Sequence, residues 1–584
     1  MFATRWKALG LLASVAAILM LAAACSSSSN NKTTTPGNGA SATSPAGASA
    51  TGSTSAPQQG GSITVQALQP QSFDPHFSAF AQDISIDRMV WRGLYRLDKN
   101  NKPQPEMAAS QPQVSSDSLT YTVKLQSGLK WSDGTPLTAK DFVAGIVRTC
   151  APDTAGQYTS FLFNIVGCEK YSGDTKADAA TQQADQAALG VSAPDDTTIV
   201  FKLKNPQATF QIQLAMWFTF PVPTQIIKNP ATDKWPDDPT KLAFNGPYKI
   251  QSYTQKDNLV LVRNDSYHSA SSHEAYLDKI TEKYIDDTEQ ADNAFRAGQV
   301  DVAIANLANL KAITSDSSTK DAYFHPSQYS STLGMQFQMK KAPLDKFQVR
   351  LALSQAIDRK TLVGLVGGGT YQPATSWIPG ALLGIQDDPF ESQIGYNPTE
   401  AKKNLSDAGY PDGKGFPTLS LEIRNTPANQ AVAAFVQNAY KTVLNINITI
   451  KAVDSKTRSA DYTSRNFELF APAGWNQDYP DPEDWVAGQF NTGGSQNFTD
   501  CSDPQIDSLM AKAAVNLNND ERIAQYKQIN ELISTKLCGI APWWSQTVYD
   551  WLVNPKIHGM RDNSTSQDSI LPSDWNVENW SVSK

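Results

Sequence analysis

No block of lysines and arginines stands out in the 584 residues, and the formal net charge is -8. The phosphate-backbone footprint of a nucleic-acid binder is therefore missing. No two cysteines are spaced C-x-x-C, which argues against a four-cysteine zinc site. No segment recurs with a period of roughly 20 to 50 residues, against solenoids and propellers. Neither G-x-S-x-G nor H-E-x-x-H occurs, so the commonest hydrolase signatures are absent. Ser127 to Lys130 fits S-x-x-K but lacks its S-D-N and K-T-G companions. With 40% apolar and 18% charged residues the bulk is ordinary globular protein, at a length where a single core gives way to two or three lobes.

The amino terminus differs from the rest. In MFATRWKALGLLASVAAILMLAAAC, Arg5 and Lys7 precede an uncharged run from Ala8 to Ala24, the pattern of an export signal. The run is shorter than the about 20 apolar residues of a spanning helix and ends in small residues. LAAAC resembles the bacterial lipoprotein box, in which the chain is cut before cysteine and that thiol takes diacylglycerol. Residues 1–24 are thus expected to be removed and Cys25 lipidated, holding the protein at the outer face of the bacterial cytoplasmic membrane. Residues 25–60 are mostly Ser, Thr, Ala, Gly, Pro and Asn with little to bury, and are expected to form a disordered tether spanning roughly 30 to 35 Å. Four further cysteines, Cys150, Cys168, Cys501 and Cys538, allow two disulfides in three pairings. The modest loops they close favour Cys150 with Cys168 and Cys501 with Cys538.

Strands and helices alternate in the body. Ile63, Val65 and Ala67 alternate as a half-buried strand, and strands are expected at 119–125, 198–203 and 258–263. Thr138 with Asp141 three residues on reads as a capping box. Val349, Ala352, Leu353, Ala356 and Ile357 fall on one helical face. Asn397-Pro398 starts another helix and Gly409 stops it. A helix from Ala428 feeds a strand in which Ile446, Ile448 and Ile450 alternate. A strand over 468–471 then leads into AGWNQDYPDPEDW, Ala473 to Trp485, placing that segment beyond the strand's carboxyl end, where ligand crevices of α/β sheets form.

Four acids crowd that segment: Asp478, Asp481, Glu483 and Asp484. Calcium fits poorly, because Pro480 and Pro482 stand where an EF-hand loop needs ligands, and nothing spaces two acids across a cleft as a glycosidase needs. No metal and no cofactor is expected. By itself Asp478 reads either as a partner for a cation or as a turn cap before Pro480.

Several stretches together resemble the oligopeptide, dipeptide and nickel-binding branch of extracellular solute-binding proteins, which serve ABC importers. They are SFDPH (72–76), SSDSLTYTVKLQSGLKWSDGTPLTAKDF (115–142), NGPYKI (245–250), FRAGQVDVA (295–303), KAPLDKFQVRLALSQAIDRKTLV (341–363) and YNPTEAKKNLSDAGY (396–410). The resemblance implies an α/β fold of two lobes, periplasmic-binding-protein-like, hinged and with an extra domain inserted in the first lobe. Lobe I would comprise 61–91, 225–330 and 550–584, the inserted domain 92–224, and lobe II 331–549. It implies a binding protein rather than an enzyme, monomeric, with a peptide ligand, permease subunits as partners and attachment to the membrane through the lipid. Asp478, following Gly474-Trp475-Asn476-Gln477, would hold the peptide's amino terminus. Backbone from Ala473 to Asn476 would form one pairing edge and Ala79-Phe80-Ala81 the other, with Tyr158 lining the pocket. Pro472 stands where some members carry a basic residue near the ligand's carboxylate end. An oligosaccharide binder of the same fold is the alternative, since the chain has 13 tryptophans; a nickel or haem carrier is disfavoured by only five histidines. From another class, an exported hydrolase completes the alternatives.

Overall fold

The computed structural model describes residues 59–98, 101–269, 274–326, 331–494, 496–547, 549–561 and 571–583. The expected signal, Cys25 and nearly all of the tether lie outside the described residues.

Three sheets organise the chain. The first has seven strands in the order Tyr323–Phe324, Trp551–Val553, Val302–Ile304, Ser62–Ala67, Lys279–Tyr284, Asn258–Arg263, Tyr248–Thr254. Ser62–Ala67 runs parallel to Lys279–Tyr284 in full register, from Ser62 opposite Lys279 to Ala67 opposite Tyr284. Ile63, Val65 and Ala67 are buried as their alternation predicts. The second sheet has six strands, in the order Gln372–Pro373, Ile540–Gln546, Ser331–Phe337, Leu469–Asn476, Leu419–Arg424, Ile448–Val453. The third sheet, of four strands, lies within residues 113–202. The chain passes between the first two sheets twice, once between Phe324 and Ser331 and once between Gln546 and Trp551. His325 and Asp550, one on each crossing, are bonded at 2.9 Å.

Each half has its own interior. One apolar core runs without a break from the first sheet (Val65, Ile280) into the third (Val123, Phe201). A second lies under the six-stranded sheet, with Met335, Leu421, Val436 and Leu469. A third gathers Trp377, Trp485, Ile529 and Cys538. Cys150 is bonded to Cys168 and Cys501 to Cys538.

The local signals act where they stand. Thr138 caps the Ala139–Cys150 helix, its N–H donating to Asp141 Oδ2 at 2.7 Å, and Asn397 caps Pro398–Asp407 by accepting from Glu400 N–H. Gly409 takes φ +98° beyond that helix. Ile446 and Ile448 are buried but Ile450, further along the strand at the outer edge of the sheet, is exposed.

Candidate functional site

The first four residues of the segment that the sequence places beyond a strand, Ala473 to Asn476, are part of the strand. Leu469–Asn476 stays paired with Ser331–Phe337 to its end, Ala473 opposite Gly334 and Asn476 opposite Ser331. Continued antiparallel pairing carries the extended backbone five residues past the expected end at 471. On the other side its parallel neighbour departs early: Leu419–Arg424 registers only Leu421 with Leu469 and Glu422 with Phe470. Among the described residues, no strand pairs with that edge from Ala471 to Asn476. Gly474 is required by close approach, since a Cβ there would lie 1.8 Å from the Thr332 carbonyl oxygen. Asn476 Oδ1 accepts from the Ser331 hydroxyl at 2.7 Å. Pro472, which has no N–H to offer a neighbour, suits a one-sided strand.

Beside this edge lies a cavity of about 160 Å³ lined by Arg424, Arg458, Tyr462, Phe470 and Gly474, among others. Arg458 comes from the Ser455–Thr463 helix, stacks over the Phe470 ring at 3.8 Å and donates to the Pro472 carbonyl at 2.8 Å. Burial, then the neighbouring Arg424, lowers its pKa to about 10. Neither arginine is among the site residues expected from sequence. Arg424 ends a strand on the side where α/β crevices open, the one signal that points to it; Arg458 carries none.

The strand leads into a buried acidic turn. Asp478 is 1% exposed and Asp484 fully buried, and the Asp478 N–H donates to Asp484 Oδ2 at 2.9 Å. Burial, then the charge of Asp478, pushes the Asp484 carboxyl far up, partly offset by the Asp478 and Tyr479 N–H groups and the half-buried Trp475 indole. Asp481 caps the short Pro482–Trp485 helix and is gripped at both oxygens by Arg522 of the Asn519–Thr535 helix, at 2.7 and 2.5 Å. Glu483 accepts from the Thr209 hydroxyl, reaching across to the other half of the molecule. Burial and the nearby Asp481 raise it to about 7, against Arg522 and Thr209. The turn is therefore more than punctuation.

The other half faces this turn with aromatic rings. Tyr158 is buried, stacked on Phe161 at 5.5 Å and Phe218 at 5.6 Å, with its edge to Trp217 at 4.8 Å. Phe161 meets Tyr479 at 6.1 Å, and the Trp217 indole donates to the Ser78 carbonyl at 3.1 Å, just before Ala79. Phe80 is extended, but its carbonyl accepts from Asp83 and Ile84, and Ala81 opens the Ala81–Val90 helix. Of the three residues expected as a second edge, Ala79 and Phe80 precede this helix and Ala81 is its first residue. A further cavity of about 430 Å³ opens between the halves, with Phe161 and Gln207 on one wall and Glu483 and Asn491 on the other. Among the described residues no group of three His, Cys, Asp or Glu side chains is placed to hold a metal ion.

Residues 102–497 match the family model described as bacterial extracellular solute-binding proteins, family 5 Middle. The chain belongs to this family. It is 28% identical over 472 residues, 79% of its own length and 82% of the relative's, to the periplasmic oligopeptide-binding protein OppA of Escherichia coli. The solved structure of the murein tripeptide binding protein MppA of the same organism superposes with a TM-score of 0.76 at 25% identity, covering 90% of this chain and 99% of MppA. Against MppA described as an unliganded open form, the TM-score is 0.65 at the same identity, covering 90% and 97%. The fold is the two-lobed α/β architecture of periplasmic binding proteins, and the ring and hydrogen-bond contacts just described join its lobes.

Proposed function

We propose that this family 5 protein is the substrate-binding lipoprotein of an ABC importer and captures extracellular peptides between its lobes. The lobes are assigned as 61–91, 225–330 and 550–584 for the first, 92–224 for its inserted domain and 331–549 for the second. Cys25 carries the lipid, the tether lets the body reach the permease, and the chain works as a monomer. One observation carries the reading: a strand edge open from Ala471 to Asn476 leads directly to a buried carboxylate at Asp478. An extended peptide adds a strand to such an edge, with backbone bonds common to all peptides. Its ammonium needs a partner once desolvated, and Asp478 supplies the charge. Arg424 and Arg458, beside the same edge, give the peptide's carboxylate end the positive charge that Pro472 does not. The names of the relatives support peptides as the ligand class.

Isothermal titration with free and N-acetylated peptides of one sequence tests this. Acetylation should weaken binding by about 10- to 150-fold, the worth of a charged hydrogen bond of about 1.5 to 3 kcal/mol. Equal affinity for both would remove the amine anchor.

A further inference from the structure

We propose that Glu483 is a pH-sensitive latch: it takes up a proton when the lobes close over it, so that acid favours the closed, ligand-holding form. The latch itself rests on the two-lobed fold, and its link to ligand rests on the peptide reading above. The geometry is that of a carboxyl group lying across a seam. Glu483 stands on the short Pro482–Trp485 helix of one half and accepts from the Thr209 hydroxyl and the Gln207 side chain of the other. It is 9% exposed, with Thr209 and Gln207 covering it from across the seam. Parting the lobes would remove both and return the carboxyl to water.

Charge around the closed seam is uneven. Arg522 is bonded to both oxygens of Asp481 and comes only within 3.7 Å of Glu483, so one arginine serves two acids. Tyr479 and Asp484 of the same turn and Tyr526 beside Arg522 supply no positive charge. Across the seam, the cavity that Glu483 lines also carries Glu169 and Lys204, which are paired with each other at 2.6 Å. A carboxylate moved from water into such a place is desolvated without a full partner, and a proton neutralises it. Burial, then Asp481, raises Glu483 to about 7 against Arg522, Thr209 and Gln207, which agrees. In the open form the same group titrates in the ordinary carboxylate range. The closed form therefore binds more protons between the two values, and closure gains as pH falls through about 7, by up to tenfold per pH unit for one proton. Glu483→Gln keeps the shape and polarity of the protonated side chain and cannot titrate.

Calorimetric titration at pH 6.5, in phosphate and in Bis-Tris, whose ionisation heats differ, reads the protons exchanged per ligand bound. The probe is a pool of three- to five-residue peptides free of titrating side chains, whose amines are already protonated at that pH. The parent protein should take up as much as one proton more per peptide than Glu483→Gln, or than Glu483→Ala should the first variant melt early. Between pH 8 and 6 its affinity should rise about three- to tenfold relative to Glu483→Gln. Equal proton exchange in parent and variant, or an affinity ratio that stays constant with pH, overturns the latch. Binding of the pool to neither protein instead overturns the peptide reading, and the latch is then decided without ligand. Dyes at the exposed positions 130 and 402, one on each half, should draw closer in the parent as pH falls from 8 to 6 and keep their distance in Glu483→Gln. An equal response in the two proteins overturns the latch.

Discussion

At the scale of single residues, the buried turn is where charge decides behaviour. Asp478→Asn keeps the shape of the side chain and removes the anion that an ammonium would need. Titration calorimetry should show free-amine peptides bound about 10- to 150-fold more weakly, while N-acetylated peptides change little. Asp481 serves a different end. Its two oxygens are occupied by Arg522, so it fixes the turn to the Asn519–Thr535 helix. Four acids within seven positions thus divide into a tether for an arginine, a bond across the cleft, and a close buried pair.

At the scale of elements, the Leu469–Asn476 strand shows how little room the sheet leaves. Gly474→Ala would drive a methyl into the Thr332 carbonyl and should lower the melting temperature in a thermal scan, splaying the strand from Ser331–Phe337. Alternation in Ile63, Val65 and Ala67 reads as a strand because one face of that strand meets the core. Ile450 alternates just as well but lies on an outer strand, which only the sheet order reveals. The capping pair Thr138 and Asp141 is legible because both partners lie within one turn. The acidic segment is conspicuous in sequence, but whether each acid is buried depends on elements far along the chain: Thr209, Arg522 and the rings around Phe161. Arg458 is unreadable for the same reason, and Arg424 shows only as the end of a strand. They line one cavity only because the Leu419–Arg424 strand parts from its neighbour after Phe470.

At the scale of the whole molecule, several enclosed acids make stability depend on pH. Burial, with Asp574 nearby, raises Glu282 to about 8, and burial raises Asp83 to about 7 and Asp292 to about 6. A carboxyl whose folded pKa lies above its unfolded value stabilises the fold at low pH and loses that contribution as pH rises through the folded value. Asp74 runs the other way, held low despite burial by His76 and Arg148. Calorimetric melts should therefore show Glu282→Gln gaining on the parent protein as pH rises from 6 to 9, with the difference vanishing near pH 4. A gap that stays constant with pH would show that Glu282 does not titrate in this range.

From the core that joins the first sheet to the third we expect those two parts to move together. Dyes placed at the exposed positions 130 and 279 should act as a fixed ruler, their energy transfer unchanged when peptide is added. A dye moved to position 402, in the other half, should report a shorter distance from 130 under the same addition.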